Sequence, residues 1–385
     1  MGSATDAPLF IGLMSGTSLD GVDGVLAELP SAPSLGAIKT LACSHVAFTP
    51  ELRAELLALQ QNGGDEIHRE ALAANQLTRN YATCVAQLLD LAQCDASQVC
   101  AIGAHGQTVR HRPELGYTRQ INNGALLAEL TGIDVVTDFR SRDIAAGGQG
   151  APLVPLFHQH IFGDEHQQRV IVNIGGISNI SVLPARSVSA DIVGFDTGPG
   201  NVLLDLWVNR HLGFAYDDAG QWASSGVINP SLLQRMRQEA YFAMPPPKST
   251  GRDLFNADWL DQQLAGHTAN HTRLSAVDVQ STLTELTAES IANAVQRYAS
   301  CADTLYVCGG GAFNIFLMQR VEAALTALGS RTKVVSTSVL GVPPHQVEAL
   351  AFAWLAQRFT ERKSGNSPSV TGAEGNRIAG ALYPH

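Results

Sequence analysis

The chain has 385 residues, 45% of them apolar and 16% charged, which is enough for a sizeable core over two or three domains and excludes a disordered or coiled-coil chain. Its formal net charge of −10 argues against a nucleic-acid partner, because phosphate backbones call for a basic face. An anionic substrate would need locally focused cations instead.

The first elements follow in quick succession. Leu9–Met14 reads as a strand that ends in Ser15-Gly16-Thr17-Ser18, and Val22–Leu29 reads as a returning strand, so the pair predicts a hairpin. A third strand is expected over Ile38–Ala47, followed by helices over Pro50–Leu59 and Glu70–Leu91. Val99–Ala104 predicts a buried strand that runs into His105-Gly106-Gln107-Thr108. A short helix over Ala125–Leu130 and a strand over Ile133–Thr137 come next. The stretch Asp138–Gly150 then breaks the pattern with Arg140, Arg142, Asp143 and Gly147-Gly148-Gln149-Gly150, and reads as an active-site loop near a domain boundary.

After a helix over Pro152–Phe162 the opening pattern returns. Strands are expected over Arg169–Ile174, Ser178–Leu183 and Asp191–Phe195, with the turn Gly175-Gly176 between the first two. The runs Phe10–Gly16 and Val170–Gly176 are alike in pattern, though low in identity. Helix Leu203–His211, a loop-rich stretch over Gly213–Gly251 and a long helix over Ala276–Tyr298 follow. Thr304–Cys308 is a strand that opens into Gly309-Gly310-Gly311-Ala312-Phe313-Asn314, with a helix from about Ile315 and a strand over Lys333–Ser336. Pro343 and Pro344 suit a helix start, and Val347, Leu350, Ala351, Trp354, Leu355 and Phe359 line one face of that helix. Strands and helices in this order, with hairpins inside each half, predict an α/β chain in which antiparallel strands extend a parallel sheet.

The six cysteines form no C-x-x-C pair and no zinc spacing, so they are expected to be reduced and mostly buried. Met1–Pro8 has no signal-peptide pattern, and no apolar run reaches the roughly 18 residues of a membrane span. A soluble, cytoplasmic protein is expected.

Three glycine-rich turns are candidates for chemistry. Ser15–Asp23 offers backbone N–H groups and hydroxyls to a phosphate chain, with Asp20 and Asp23 able to hold Mg²⁺ through water; the same residues also make an ordinary hairpin turn. No G-x-x-x-x-G-K-[ST] occurs, so a nucleotide here is not held by a P-loop. In Gly194–Asn201, Asp196 suits a general base or a metal-shell ligand, or a helix cap. Gly309–Asn314 removes side chains where adenine and ribose would approach, or makes a flexible turn. His105 at a strand end reads more readily as structural than as catalytic. Lys248 and Arg252 are the best cationic pair for an anionic group, although a solvated loop explains them too. Glu348 in a first helical turn is stabilised by the helix dipole without any function.

Taken together, Gly12–Asp23, Ala104–His111, Gln120–Asp143, Ala145–Pro155, Asn173–Asn179, Gly194–Asn201, Pro247–Arg252, Cys308–Asn314 and Pro343–Trp354 closely resemble the anhydro-N-acetylmuramic acid kinases, over essentially the whole chain. That resemblance implies two actin-like (ribonuclease H-like) lobes of mixed sheets flanked by helices, with an ATP cleft between them, divided as residues 1–137 with 370–385 and residues 138–369. It implies an ATP- and Mg²⁺-dependent kinase that opens the 1,6-anhydro ring of 1,6-anhydro-N-acetylmuramic acid with water and phosphorylates O6, in peptidoglycan recycling.

Asp196 matches the family's base and Glu348 a carboxylate that positions the water. ATP would meet Gly16, Thr17, Ser18, Leu19, Asp20, Gly21, Val22 and Asp23, the second turn at Gly175 and Gly176, and Gly309, Gly310, Gly311 and Asn314; Asp20 would hold the metal through water. The sugar would meet His105, Gln107, Asn123, Asp138 and Arg140. A homodimer is implied. Where the family usually reads Gln-Ile-Gly-Asn-Pro, this chain has Gln120-Ile121-Asn122-Asn123-Gly124, which alters the stiffness of that loop. A kinase for another sugar or anhydrosugar such as levoglucosan, or a non-catalytic actin-like ATP-binding protein, are the alternatives that fold alone leaves open.

Overall fold

In the computed structural model, which describes residues 7–16, 18–30, 38–268 and 274–385, the chain forms two compact units, residues 1–162 with 345–385 and residues 163–344. Thr17, one of the expected phosphate-loop residues, lies outside the described residues.

The first unit is built on strands β1 (Leu9–Met14), β2 (Gly21–Glu28) and β3 (Lys39–Ala47), each antiparallel to the one before. β4 (Val99–Ala104) joins β1 in parallel on its other side. β5 (Gln107–Arg112) and β6 (Tyr117–Ile121) form a separate two-stranded ribbon, and β7 (Val135–Thr137) runs parallel to β4. The sheet order is β7-β4-β1-β2-β3, with the C-terminal strand Ala381–Tyr383 added antiparallel outside β7. Nearly every residue of β1 is buried, as befits a strand covered on both faces.

One cover is the helix Glu66–Ala92, whose buried Ala73, Leu77, Tyr81, Cys84 and Leu88 repeat at helical spacing. The other is the helix Val347–Thr360, which packs on β1 and β4. Gly12 of β1 and Gly103 of β4 stand opposite each other in the parallel register. A Cβ on Gly12 would meet the Ala349 carbonyl oxygen at 1.8 Å, and one on Gly103 the Phe352 carbonyl oxygen at 2.0 Å. The helix backbone therefore rests directly on the sheet along a trough that only glycine can form.

The second unit repeats the order. β8 (Arg169–Ile174), β9 (Ile177–Leu183) and β10 (Val193–Pro199) form an antiparallel meander, and β11 (Thr304–Cys308) and β12 (Lys333–Ser336) extend it in parallel beyond β8. Its order β10-β9-β8-β11-β12 matches β3-β2-β1-β4-β7 step for step. The pattern-level repeat expected from Phe10–Gly16 and Val170–Gly176 is thus a repeat of topology, a mixed sheet in each unit. The core of this unit joins β8, β9, β10 and β11 to the helices Ala276–Tyr298 and Ile315–Ala327 through residues such as Val172, Phe195, Ile291 and Leu317.

Several expectations differ from the structure. The division expected at 137/138 and 369/370 falls elsewhere than the units found, because the helices Val154–Phe162 and Val347–Thr360 pack together in the first unit, with Phe157 against Trp354 at 5.7 Å. The stretch read as loop-rich holds the short helices Gln221–Ser224, Pro230–Met236 and Ala240–Ala243. The cysteines are all free, but they are not mostly buried: Cys84 and Cys308 are, whereas Cys43, Cys100 and Cys301 are exposed. Cys43 falls on the solvent side of the alternating strand β3, where a thiol packs against nothing. No helix among the described residues is long and apolar enough to cross a membrane.

The glycine trough sets a test of the fold. Gly12→Ala should cost about 3 kcal/mol, the upper part of the usual overpacking range, read as a lower urea midpoint. An unchanged midpoint would mean that the helix is free to move off the sheet.

Candidate functional site

In the first unit the chemistry-bearing residues gather around the turn that leaves β1. Ser15 Oγ donates to Gln107 Oε1, and Gln107 Nε2 donates to the Gly16 carbonyl at 3.2 Å, so one buried amide holds the turn from below. His105 Nδ1 bonds the Ser15 carbonyl at 3.2 Å. A carbonyl only accepts, so the proton sits on Nδ1 and Nε2 is left to accept from Arg140, whose Nη2 is at 2.9 Å and Nε at 3.2 Å. Burial first, and the neighbouring guanidinium second, press the His105 pKa down to about 3. It is a neutral spacer that fixes both the turn and Arg140. Arg140 is held a third time through Nη1 to the Gly150 carbonyl at 2.8 Å.

The outer part of the turn is open. Asp20 is exposed and accepts from Ser18 Oγ at 2.8 Å. Asp23 pairs with His45 Nδ1 at 2.8 Å. Leu19 and Val22 are buried in the apolar core, so only their backbones can face a ligand. Asp138 is exposed, with a positive φ of 58°, and accepts from Ser141 Oγ at 2.6 Å. Asn123 caps the helix Gly124–Thr131 by accepting from Leu126 N at 3.0 Å, and its Nδ2 donates to Asn75 at 2.8 Å. Glu348 lies half-buried in the first turn of its helix.

In the second unit Asp196 sits within β10, not at its end: the strand runs on to Pro199 through an irregularity in register between Asp196 and Gly198. Such a bulge re-aims a side chain on an edge strand. Asp196 is 7% exposed. Thr250 N donates to its Oδ2 at 3.0 Å, Tyr241 Oη donates to its carbonyl at 2.6 Å, and its own N–H donates to the Lys248 carbonyl at 3.3 Å. The segment 241–250 therefore fixes both the backbone and the carboxylate.

The glycine turns nearby divide their work. The carbonyls of Gly175 and Gly176 accept from Asn201 N, Gly200 N and Val202 N at 2.8, 2.9 and 3.0 Å, which ties the β8–β9 turn to the start of the helix Val202–Leu212. Gly309, with φ 78°, and Gly311 are closely packed: a Cβ at either would meet Asn173 Oδ1 or Ile174 Cγ2 at 2.3 Å. Gly310 between them is exposed, and a Cβ there would find nothing closer than 3.7 Å. Asn314 caps the helix Ile315–Ala327 by accepting from Leu317 N at 2.9 Å.

Asp143 is the residue whose role the sequence hid most fully. It is 0% exposed and accepts from Gly150 N, Asn366 Nδ2 and Thr371 Oγ1, each at 2.7 Å. The expected active-site loop over 138–150 is thereby tied to the C-terminal segment, and its Gly150 carbonyl is set for Arg140. Tyr241 was equally hidden, because nothing in a short apolar helix announces a hydroxyl that holds a strand 45 residues away.

Comparison with known proteins gives one family. A family model described as anhydro-N-acetylmuramic acid kinase matches residues 8–385. An anhydro-N-acetylmuramic acid kinase of Cupriavidus metallidurans is 55% identical over 386 residues, covering 99% of each chain. One of Burkholderia lata is 54% identical over 376 residues, covering 98% of this chain and 96% of that one. Among solved structures, the activator of the 2-hydroxyisocaproyl-CoA dehydratase from Clostridium difficile with bound ADPNP is similar at TM-score 0.48 and 10% identity, over 92% of this chain and 96% of that one.

Buried neutral histidines make the first unit sensitive to acid. His158, packed between Phe157 and Phe162, is also held to about 3 by burial. A folded-state pKa below the unfolded 6.5 gives stability that is present above pH 6.5 and lost as pH falls toward 3. Each such group steepens the loss by up to about 1.4 kcal/mol per pH unit. His158→Phe should flatten the fall in stability between pH 6.5 and 4 in urea titrations, and an equally steep fall would contradict the assignment.

Proposed function

The chain belongs to the anhydro-N-acetylmuramic acid kinase family, and on that premise we propose that it opens 1,6-anhydro-N-acetylmuramic acid with water and ATP, giving N-acetylmuramic acid 6-phosphate and ADP for the recycling of cell-wall peptidoglycan. Water adds to C1 as the C1–O6 bond breaks. One water proton passes to a base, the other stays on the new C1 hydroxyl, and O6 takes the γ-phosphoryl group as ADP leaves.

The observation that carries this reading is the anchored carboxylate of Asp196. It is buried, its Oδ2 is held by Thr250 N–H, and its backbone is held on both sides. A base that is already oriented loses little entropy when it meets the reacting water. Glu348, at the positive end of its helix, is the second carboxylate and would position that water. His105 and Gln107 would shape the Ser15–Gly16 backbone for phosphate, His105 also holds Arg140, and His105, Gln107, Arg140, Asp138 and Asn123 would meet the sugar. Gly310 is the open step of its motif and would let adenosine lie against the backbone.

Among the described residues no three His, Cys, Asp or Glu side chains gather into a metal cage. An exposed single carboxylate suits magnesium, which keeps most of its waters and leans on phosphate oxygens. Asp20 would hold Mg²⁺ through water, and the charge neutralisation that the ion supplies when bound serves phosphoryl transfer. Six free cysteines support a cytoplasmic location, and a homodimer belongs to the same reading.

A coupled ADP-release assay with Mg-ATP tests the reading. ADP release with 1,6-anhydro-N-acetylmuramic acid, but not with levoglucosan or N-acetylmuramic acid, together with a 6-phosphorylated product, is expected; release with levoglucosan alone would move the substrate. Asp196→Asn should lower single-turnover rates by roughly 10³-fold, in the range of a lost general base, with the ATP dissociation constant unchanged. A rate within tenfold of wild type would remove Asp196 from the mechanism. Gly310→Val should weaken ATP binding at least about tenfold, or ~1.4 kcal/mol, with the melting temperature preserved. Unaltered ATP affinity in a folded variant would move adenosine elsewhere.

A further inference from the structure

Behind β10, in the second unit, lies a cavity of about 250 Å³. Phe195 and Thr197 wall it, together with Phe242, Lys248 and one face of the helix Ala276–Tyr298 that carries Leu286, Ser290, Asn293 and Arg297. Asp196, between Phe195 and Thr197, is not part of the wall, and its Oδ2 is bonded to Thr250 N. The cavity is therefore distinct from the place where the base would act.

Its charge is unbalanced. Arg237 also lines it, but is paired with Glu289. Lys248 and Arg297 make no ion pair among the described residues. Lys248 is only 7% exposed; its ammonium donates to the Tyr241 carbonyl at 3.1 Å and lies 4.5 Å from the Tyr241 ring and 5.6 Å from the Phe195 ring. Burial, and then the like charge of Arg297, depress the Lys248 pKa, while Asp196 works against the shift. Arg297 also lines the cavity and is exposed. Removing an ammonium from water without an anionic partner is costly, so a buried lysine facing a second cation leaves a place for a negative charge.

The walls add a size and a polarity. A dry apolar cavity of about 150 Å³ is large enough for benzene, so this one has space for a ring and a charged substituent. Phenylalanine rings together with the hydroxyl and amide of Ser290 and Asn293 in the lining suit an amphiphilic guest.

We infer that this cavity is a second ligand site for a small organic anion, one carboxylate or phosphate on an apolar body, with its charge at Lys248 and Arg297 and its body against Phe195 and Phe242. The site is wired to β10 by covalent adjacency. The residue that supplies the buried cation also supplies the carbonyl that Asp196 N–H bonds, and two residues on, Thr250 N holds the carboxylate. An occupant that draws Lys248 toward it shifts these two of the three anchors of Asp196, so it acts as an effector of turnover. This effect on turnover rests on Asp196 being the base; binding does not.

Isothermal titration calorimetry on the full chain, with benzoate, phenyl phosphate, inorganic phosphate and neutral benzyl alcohol as probes, tests the site. Benzoate or phenyl phosphate should bind with a dissociation constant of about 1 mM or tighter, and whichever binds better identifies the charged group. Arg297→Gln, and Ser290→Phe, which fills the cavity, should each weaken it at least tenfold. Failure of both anions to bind up to about 20 mM would overturn the inference, as would equal affinity for benzyl alcohol or inorganic phosphate, or undiminished affinity in a folded Arg297→Gln variant. If neither variant folds, the wild-type contrast between charged and neutral probes decides it. In the ADP-release assay, a saturating probe should change kcat in wild type; no change would overturn the coupling, and an enzyme silent in the absence of probe would instead strike at the reading of Asp196.

Discussion

The contact between the helix Val347–Thr360 and the glycines Gly12 and Gly103 sets the geometry of the first unit. Backbone meets backbone there, with no side chain between, so the helix has no freedom of height above the sheet. Its depth determines where Phe352 lies, and the Phe352 ring packs on His105 at 4.7 Å and on Phe139 at 5.6 Å. His105 in turn joins the Ser15 carbonyl to Arg140. The same helix presents Glu348 in its first turn, and near its other end Gln357 Nε2 donates to the Leu29 carbonyl at 2.7 Å, at the end of the first hairpin. A single close approach thus places a carboxylate, the scaffold of the turn after β1 and an arginine on one rigid body.

The second unit has the same strand order and uses it differently. In the first, the turn after the first strand is supported from below by a side chain, Gln107, which leaves its outer edge open. In the second, the equivalent turn at Gly175 and Gly176 is closed against the backbone of residues 200–202. The candidate residues of that unit lie instead at the bulge in β10, where Asp196 is buried, and at the exposed Gly310. Repetition of a fold therefore does not repeat a site: the sheet supplies strand ends in equivalent places, and the loops decide which of them face a ligand.

Order around Asp196 comes from an unusual source. Three residues of the segment 241–250, which has little regular structure, contribute a hydroxyl, a carbonyl and an N–H to one strand residue. β10 is an edge strand, so backbone groups on its outer side need partners, and this segment provides them. The same segment buries Lys248, so the anchoring of a carboxylate and the unbalanced charge behind the strand arise from one stretch of chain.

The sequence by itself determined the α/β class, the two strand-turn-strand openings, the long helices and the glycine turns in order, because apolar periodicity and glycine punctuation are local signals that span a few residues. The resemblance carried by those turns also pointed to the family that the chain belongs to. It could not show the ribbon β5–β6, whose Arg110 and Arg119 obscure the alternation and pair with Glu66 and Glu70 on a distant helix, at 2.7 and 2.5 Å. Nor could it show that β10 continues through Asp196, since a bulge exists only relative to a partner strand. Tertiary structure alone decided that Asp143 locks a loop to residues 223 and 228 positions away, that Gln107 is a scaffold under Ser15, and that Lys248 is buried with no ion pair among the described residues. The physical reason is the same in each case: the partners of these groups are set by contacts between segments far apart in the chain, and no local pattern encodes which segments will meet.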